Sequence, residues 1–195
     1  MKKYIIISLI LLATTTLKAQ EGTSIFINYL PSMPMGGTAD FSDNISPRGI
    51  DFEVERFLSE DLSVGFNIAW NLFREKIPEE TFYHNDLTIT AVQFHYTNIF
   101  PVHVNVKKYF SGQSDYIPYA GFGLGTSYNE TRNDVGIFTL TEDKWLFNLA
   151  PEIGMLYDMN YKAWLSVKLK YNYGFKAGDF PSQSYLSLGL GIGLK

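Results

Sequence analysis

Eight stretches of this 195-residue chain alternate large apolar side chains with polar or small ones at every second position. A period of two is typical of a β-strand with two different faces, because successive side chains of a strand point to opposite sides. Gly, Pro, Asn, Asp and Ser residues separate the stretches. The sequence therefore predicts an all-β chain of eight strands, at residues 23–30, 48–58, 62–74, 92–107, 116–128, 145–157, 162–175 and 185–194.

The second face of these strands is too small to be the water-facing exterior of a soluble barrel, because Gly, Ala, Ser and Asn line much of it and its charges are few. Gly121, Gly123 and Gly125 follow one another on this face of the fifth strand, and Gly189 and Gly191 do so on the eighth. If the opposite, apolar face pointed inward, its large side chains would overfill an eight-stranded interior. The inverse arrangement fits: the apolar face meets lipid, and small and polar residues fill a narrow lumen.

The lengths of the connections favour the same arrangement. Short connections at residues 59–61, 111–115 and 159–161 alternate with longer polar ones at 33–47, 75–88, 129–144 and 176–182. Short turns on one side and long loops on the other are typical of an outer-membrane barrel. Aromatic residues gather near the segment ends, where membrane–water interfaces favour them. We expect an outer girdle of Tyr29, Trp70, Tyr96, Tyr128, Trp145, Tyr173 and Tyr185 and an inner girdle of Phe57, Phe110, Tyr116 and Tyr157.

Three segments resemble the small eight-stranded outer-membrane β-barrels of the porin-like, OmpX, OmpW and OmpA-barrel type. They are residues 99–102 with the strand that ends at Phe110, residues 118–125, and residues 185–191. The resemblance implies an antiparallel up-and-down transmembrane β-barrel with its termini in the periplasm. Members of such a family serve structural, adhesive or small-channel roles, so the resemblance implies no single function.

The N-terminal residues have the pattern of a secretory signal. Lys2 and Lys3 precede an apolar run that ends at Leu12, and Ala19 provides a small residue for cleavage. We expect residues 1–19 to be removed and residues 20–195 to form the barrel domain. We also expect a monomer that contacts outer-membrane lipid and lipopolysaccharide and meets the barrel-insertion machinery during assembly.

Composition excludes several classes of function. The chain has no cysteine, which rules out disulfides, thiolate metal sites and a cysteine nucleophile. Its net charge of −4 argues against nucleic-acid binding, which needs clustered Lys and Arg. No motif in the sequence calls for a cofactor.

Charged residues on the small face are expected to meet in the lumen. A three-residue turn between the sixth and seventh strands would place Glu152 opposite Lys168, with Lys170 one diagonal step away. We expect these charges to neutralise one another and plug the barrel, because buried charges without partners cost several kcal/mol. The alternative is a selectivity filter of a narrow channel for small or hydrophobic solutes. The other members of this predicted network are Asp51, Glu53, Glu55, His103 and Lys107.

Histidines raise a third possibility, an outer-leaflet lipid-modifying enzyme. His84 is predicted on a loop, whereas His95 and His103 are eight residues apart on one strand. That separation is roughly 26 Å at about 3.3 Å per residue, so these two side chains cannot share a metal ion. Neither a serine nor an acid stands at a recognisable catalytic spacing from them. The sequence therefore favours a non-enzymatic barrel with no catalytic, cofactor-binding or metal-binding residues.

Overall fold

The computed structural model describes residues 22–84, 87–110, 115–136, 138–160 and 162–194, with side chains for all of them except 79–84, 87–91 and 160. The predicted signal segment lies outside these residues. The described residues form nine strand segments and one short helix. These are β1 (Thr23–Tyr29), β2 (Ser32–Met35), α1 (Gly36–Phe41), β3 (Gly49–Ser59), β4 (Leu62–His84), β5 (Leu87–Tyr109), β6 (Tyr116–Val135), β7 (Phe138–Asn160), β8 (Ala163–Gly174) and β9 (Gln183–Leu194).

The strands form one antiparallel sheet that closes on itself. Each strand from β3 to β9 pairs with its neighbour along the chain, and β1 pairs with both β3 and β9. β2 continues along β9 in the same register after the break at Leu30–Pro31, so β1 and β2 together occupy one position in the ring. The structure confirms the predicted eight-stranded antiparallel barrel.

The two faces of the sheet meet different surroundings. Ile27, Val104 and Ile192 point outward with more than half of their surface exposed, as do many other large apolar side chains. Asp51 and Lys168 point inward and are buried. An apolar exterior around a polar interior is the arrangement of a barrel whose outer wall contacts lipid. Among the described residues, no helix is long and apolar enough to cross a membrane.

Two hairpins continue beyond the rest of the ring at the end that carries α1, which we call the loop end. The opposite end, where β1 begins and β9 ends, is the terminal end. The β4–β5 pairing reaches His84 and Leu87, and the β6–β7 pairing reaches Val135 and Phe138. Much of residues 75–88 and 129–144, predicted as loops, is therefore strand. In residues 129–134, for example, polar side chains stand on both faces of β6, so the alternation that marks a strand is lost there.

Closure of the ring predicts a difference in apparent mass between boiled and unboiled samples in SDS gel electrophoresis. In a closed barrel each strand is hydrogen-bonded on both sides, so we expect SDS at room temperature to leave it folded. Unboiled protein is then expected to migrate at a lower apparent mass than boiled protein. A variant that stops before Gln183 loses β9 and serves as the control, with no such difference expected. Equal migration of the full-length protein before and after boiling would contradict a closed ring.

Candidate functional site

A layer of charged side chains crosses the middle of the barrel interior. Lys107 on β5 is its centre: its Nζ atom is 2.9 Å from Glu53 and 3.0 Å from Glu152, and it also pairs with Glu55. All four side chains are buried. The network therefore joins β3, β5 and β7 across the lumen rather than along one wall.

Lys168 and Lys170 bring β8 into the same layer. The Nζ atom of Lys168 lies 3.0 Å from Asp51 and 3.2 Å from Glu53, so Glu53 is shared with Lys107. Lys170 donates to the side-chain oxygen of Asn67 at 2.8 Å and lies 3.9 Å from Asp51. Carboxylates on β3 thus face lysines on β8 across the narrow interior.

Neutral polar side chains supply further hydrogen bonds to the carboxylates. Asn28 donates to Asp51 at 2.7 Å, Asn105 donates to Glu53 at 2.6 Å, and Tyr109 donates to Glu55. Buried polar groups of this kind stabilise a structure when they find partners and destabilise it when they do not. These amide and phenol donors were not part of the predicted network, although Asn28 and Asn105 do fall on the small face of their strands.

The pairing between β7 and β8 corrects one prediction. Glu152 lies opposite Lys170, and Lys168 lies opposite Gly154. The predicted register, with Glu152 opposite Lys168, assumed a three-residue turn centred on Asn160. In the structure the turn lies later in the chain, because β7 runs to Asn160 and β8 begins at Ala163. Together with a one-residue irregularity between Asp158 and Asn160, this moves the partners of β7 by two residues along β8. The carboxylate of Glu152 reaches Lys107 instead.

The histidines lie in two different surroundings. His103 is buried beside the charged layer, and its Nε2 atom is 2.7 Å from the side-chain oxygen of Asn148. Among the described contacts, His103 forms no ion pair. The Nδ1 atom of His95 is 2.7 Å from the carbonyl oxygen of Phe41, and the two rings stack with centroids 4.3 Å apart. His84 is the last residue of β4 rather than a loop residue, and its side chain is outside the described part. No group of three His, Asp or Glu side chains suited to a metal ion occurs among the described residues.

An aromatic layer fills the lumen at the terminal end. Tyr109 and Tyr119 pack with ring centroids 5.3 Å apart, and Phe26 stacks on Trp164 at 5.7 Å. Phe57 packs against this layer, so its predicted place in the inner girdle is wrong. The parity of its position, odd or even along the strand, explains why Phe57 points into the lumen. Residues two apart on a strand share a face, and Phe57 follows the inward-facing Glu53 and Glu55.

A second apolar layer lies above the charges, toward the loop end. Phe73, Ile99 and Tyr185 are buried together, and the Tyr185 hydroxyl accepts a hydrogen bond from Asn71 at 3.3 Å. The predicted place of Tyr185 in the outer girdle is therefore wrong. It shares its face with the inward-facing Ser187, and its position near a strand end was a poorer guide than its parity.

Helix α1 lies over the loop end of the lumen. Thr38 is buried and donates to the side chain of Gln183 at 2.8 Å, while its hydroxyl accepts the backbone N–H of Ser184 at 3.0 Å. Phe41 at the end of the helix stacks on His95 of the opposite wall. Side chains therefore occupy the interior from the aromatic layer, through the charged layer, to α1.

The remaining predicted girdle residues lie on the outer wall. Trp70, Phe100, Tyr128 and Trp145 stand in register on four consecutive strands, with neighbouring ring centroids 5.5–6.5 Å apart. Phe100 was missed as a member of this row. Toward the terminal end, Tyr116 and Tyr157 pack at 4.9 Å. The other predicted members on the outer wall are Tyr29, Tyr96, Phe110 and Tyr173.

Comparison with known proteins supports the fold at low sequence identity. No model of a known protein family matches the sequence, and no curated protein does. Neisserial surface protein A superimposes with a TM-score of 0.64 at 14% identity, over 91% of this chain and 99% of that one. Ail, the attachment invasion locus protein of Yersinia pestis, gives 0.57 at 14% identity, over 90% and 99%. The outer membrane protease OmpT of Escherichia coli gives 0.51 at 9% identity, over 77% and 66%. The chain thus has the fold of the small eight-stranded outer-membrane β-barrels.

Proposed function

We propose that the protein is a non-enzymatic barrel of the outer membrane, closed to solutes by its own side chains, which presents its loop-end hairpins at the cell surface. The observation that carries this proposal is the buried charged layer around Lys107. Its lysines and carboxylates bond to one another across the lumen, and apolar layers lie on both sides of it. An open pore would need a continuous path for water through this layer.

The loop-end hairpins supply the surface for this role. The pairing of β8 with β7 ends at Asn148, and the N–H of Phe175 still bonds to the carbonyl of Phe147. In the described structure, the edge of β7 from Phe138 to Leu146 has no strand partner on this side and is open. Phe138 and Leu140 on this edge are more than half exposed. An open strand edge can take up an extended segment of another chain through backbone hydrogen bonds. The name of Ail, an attachment protein with the same fold, is compatible with such a surface role.

An enzymatic role has less support. The similarity to the protease OmpT is a similarity of fold, at 9% identity. The side chains of His95 and His103 are bonded to a backbone carbonyl and to Asn148. Neither contact joins a histidine to a hydroxyl group, which is the arrangement by which a histidine activates a serine or threonine nucleophile.

Single-channel recording in a planar bilayer tests the closed lumen. We expect protein that has folded, as judged by its faster migration in unboiled SDS samples, and that has been inserted into the bilayer to give no discrete conductance. The absence of conductance would support a charged layer that closes the lumen, and the function of the protein would then lie in its loop-end hairpins. Openings in the native protein whose conductance changes in a Glu152→Gln variant would overturn this proposal in favour of a narrow channel.

A further inference from the structure

A cavity of about 380 Å³ opens at the loop end, between α1 and the β6–β7 hairpin. Its lining residues are Phe41 of α1, Thr131 and Asn133 of β6, and Leu140, Thr141 and Glu142 of β7. None of these side chains belongs to the charged layer, so the cavity is a separate feature of the barrel. Its volume lies within the range of pockets that hold small molecules, roughly 300–1,000 Å³.

The lining of this loop-end cavity combines apolar and polar side chains. Leu140 is more than half exposed and stands directly opposite Asn133, whereas Thr131 stands opposite Glu142. Phe41 is half-buried and borders the cavity from the side of α1. The face of an aromatic ring is negative, so it attracts the slightly positive C–H groups of a sugar ring. A ligand with an apolar face and several hydroxyl groups therefore matches the lining.

Two hydrogen-bond acceptors at the cavity have no donor among the described residues. Asn133 donates its amide to the side chain of Gln93 at 2.8 Å, and its own Oδ1 atom is unpartnered. The Nδ1 atom of His95 bonds to the carbonyl oxygen of Phe41, which can only accept, so Nε2 of the neutral ring is an acceptor, and it too is unpartnered. A buried acceptor without a donor costs about 1–3 kcal/mol. A ligand that brings hydroxyl donors to Asn133 would remove part of this cost.

Glu142 determines the charge of the cavity. Its carboxylate is exposed and can accept hydrogen bonds from two neighbouring hydroxyl groups. Lys144, two residues away on the same face of β7, lies outside the lining. A carboxylate repels sulfate, phosphate and carboxylate groups of a ligand, so the lining favours a sugar without negative charge.

We propose that the loop-end cavity binds the neutral pyranose at the end of a glycan chain. The C–H face of the sugar packs on Phe41 and Leu140, and its hydroxyl groups donate to Asn133 and Glu142. The cavity is open to solvent, so the rest of the glycan extends outside it. This inference rests on the proposed function, because the hairpins meet glycans only if they are presented at the cell surface.

Saturation-transfer NMR with the methyl glycosides of glucose, galactose, mannose and N-acetylglucosamine tests the site. The refolded protein is kept in lauryldimethylamine oxide, because a detergent with a sugar head group would compete. We expect at least one glycoside to receive saturation from the protein, and the Asn133→Ala/Glu142→Ala double variant to bind it about tenfold more weakly. The Thr139→Ala/Asp143→Ala double variant is the matched control. Both of its residues are exposed on the opposite face of β7, so we expect normal binding.

Equal binding by the cavity variant and the native protein would overturn the proposal, as would an absence of saturation transfer to all four glycosides at millimolar concentration. Stronger binding of spermidine, or of the methyl glycoside of N-acetylneuraminic acid, would also overturn it, because the ligand would then be an amine or an anion. The SDS migration of each variant shows whether it has folded. Openings in the bilayer recording would overturn the closed lumen and leave the sugar result unaffected, so the two failures are distinguishable.

Discussion

Replacing Lys168 with methionine is expected to lower the free energy of unfolding by about 3–5 kcal/mol, the usual cost of removing one partner of a buried ion pair. Methionine keeps most of the volume of the lysine stem but removes the ammonium group that Asp51 and Glu53 share. Asp51 is fully buried, so its charge would lose a partner that water cannot replace. The midpoint of urea unfolding in lipid vesicles measures the effect.

Lys108→Met provides the control for this experiment. Lys108 pairs with Asp61 near the turn between β3 and β4, where about half of each side chain is exposed. Exposed ion pairs contribute little, so we expect its unfolding midpoint to stay close to that of the native protein. A second variant that combines Lys168→Met with Asp51→Asn is expected to recover part of the loss, because it removes the unpaired charge. Equal midpoints for Lys168→Met and Lys108→Met would show that water solvates the side chains of the charged layer, which would contradict their burial.

Replacing Gly154 with leucine is expected to prevent folding or to lower the unfolding midpoint strongly. Gly154 lies opposite Tyr119, and a Cβ atom at this position would stand 2.6 Å from the Cζ and hydroxyl atoms of the tyrosine ring. Tyr119 cannot move aside easily, because Tyr109 packs against its ring and the ammonium of Lys107 lies 4.8 Å from its centre. Overfilling a packed interior typically costs 1–3 kcal/mol even for smaller insertions.

The neighbouring residue on β7 separates this steric effect from a general sensitivity of the strand. Ile153 points to lipid and is more than half exposed, so Ile153→Leu is expected to fold like the native protein. The yield of the fast-migrating band in unboiled SDS samples reports folding for both variants. Normal folding of Gly154→Leu would mean that the terminal-end aromatic layer is loosely packed.

The sequence was sufficient to predict the fold because lipid on one side and a narrow lumen on the other impose a strict alternation. The predicted residues of the charged layer also face inward, since parity alone determines the face. The partners within the layer were harder to predict. Lys168 bonds to β3 across the lumen, and such a contact depends on the register of every strand between them. One misplaced turn was enough to assign Glu152 to the wrong lysine.

Aromatic residues gave the other errors, because they serve two purposes in this barrel. Rings on the outer wall form the girdles, whereas Phe57 and Tyr185 close the two ends of the lumen. Both kinds stand near strand ends, so position along the strand does not distinguish them. Parity does, and for Phe57 it points inward. The helix α1 was missed because its six residues, Gly36–Phe41, are too few to show a helical period.

The pairing of β1 with β9 determines when the barrel becomes compatible with a membrane. Ile25 pairs with Leu194 and Tyr29 with Leu190, so β1, which precedes the other strands of this sheet in the chain, must wait for β9. Until they meet, the sheet has two open edges whose backbone groups lipid cannot satisfy. A contact between such distant parts of the chain also forms slowly. We therefore expect no partly built sheet to be stable in the bilayer, and insertion and closure of this barrel to be a single event.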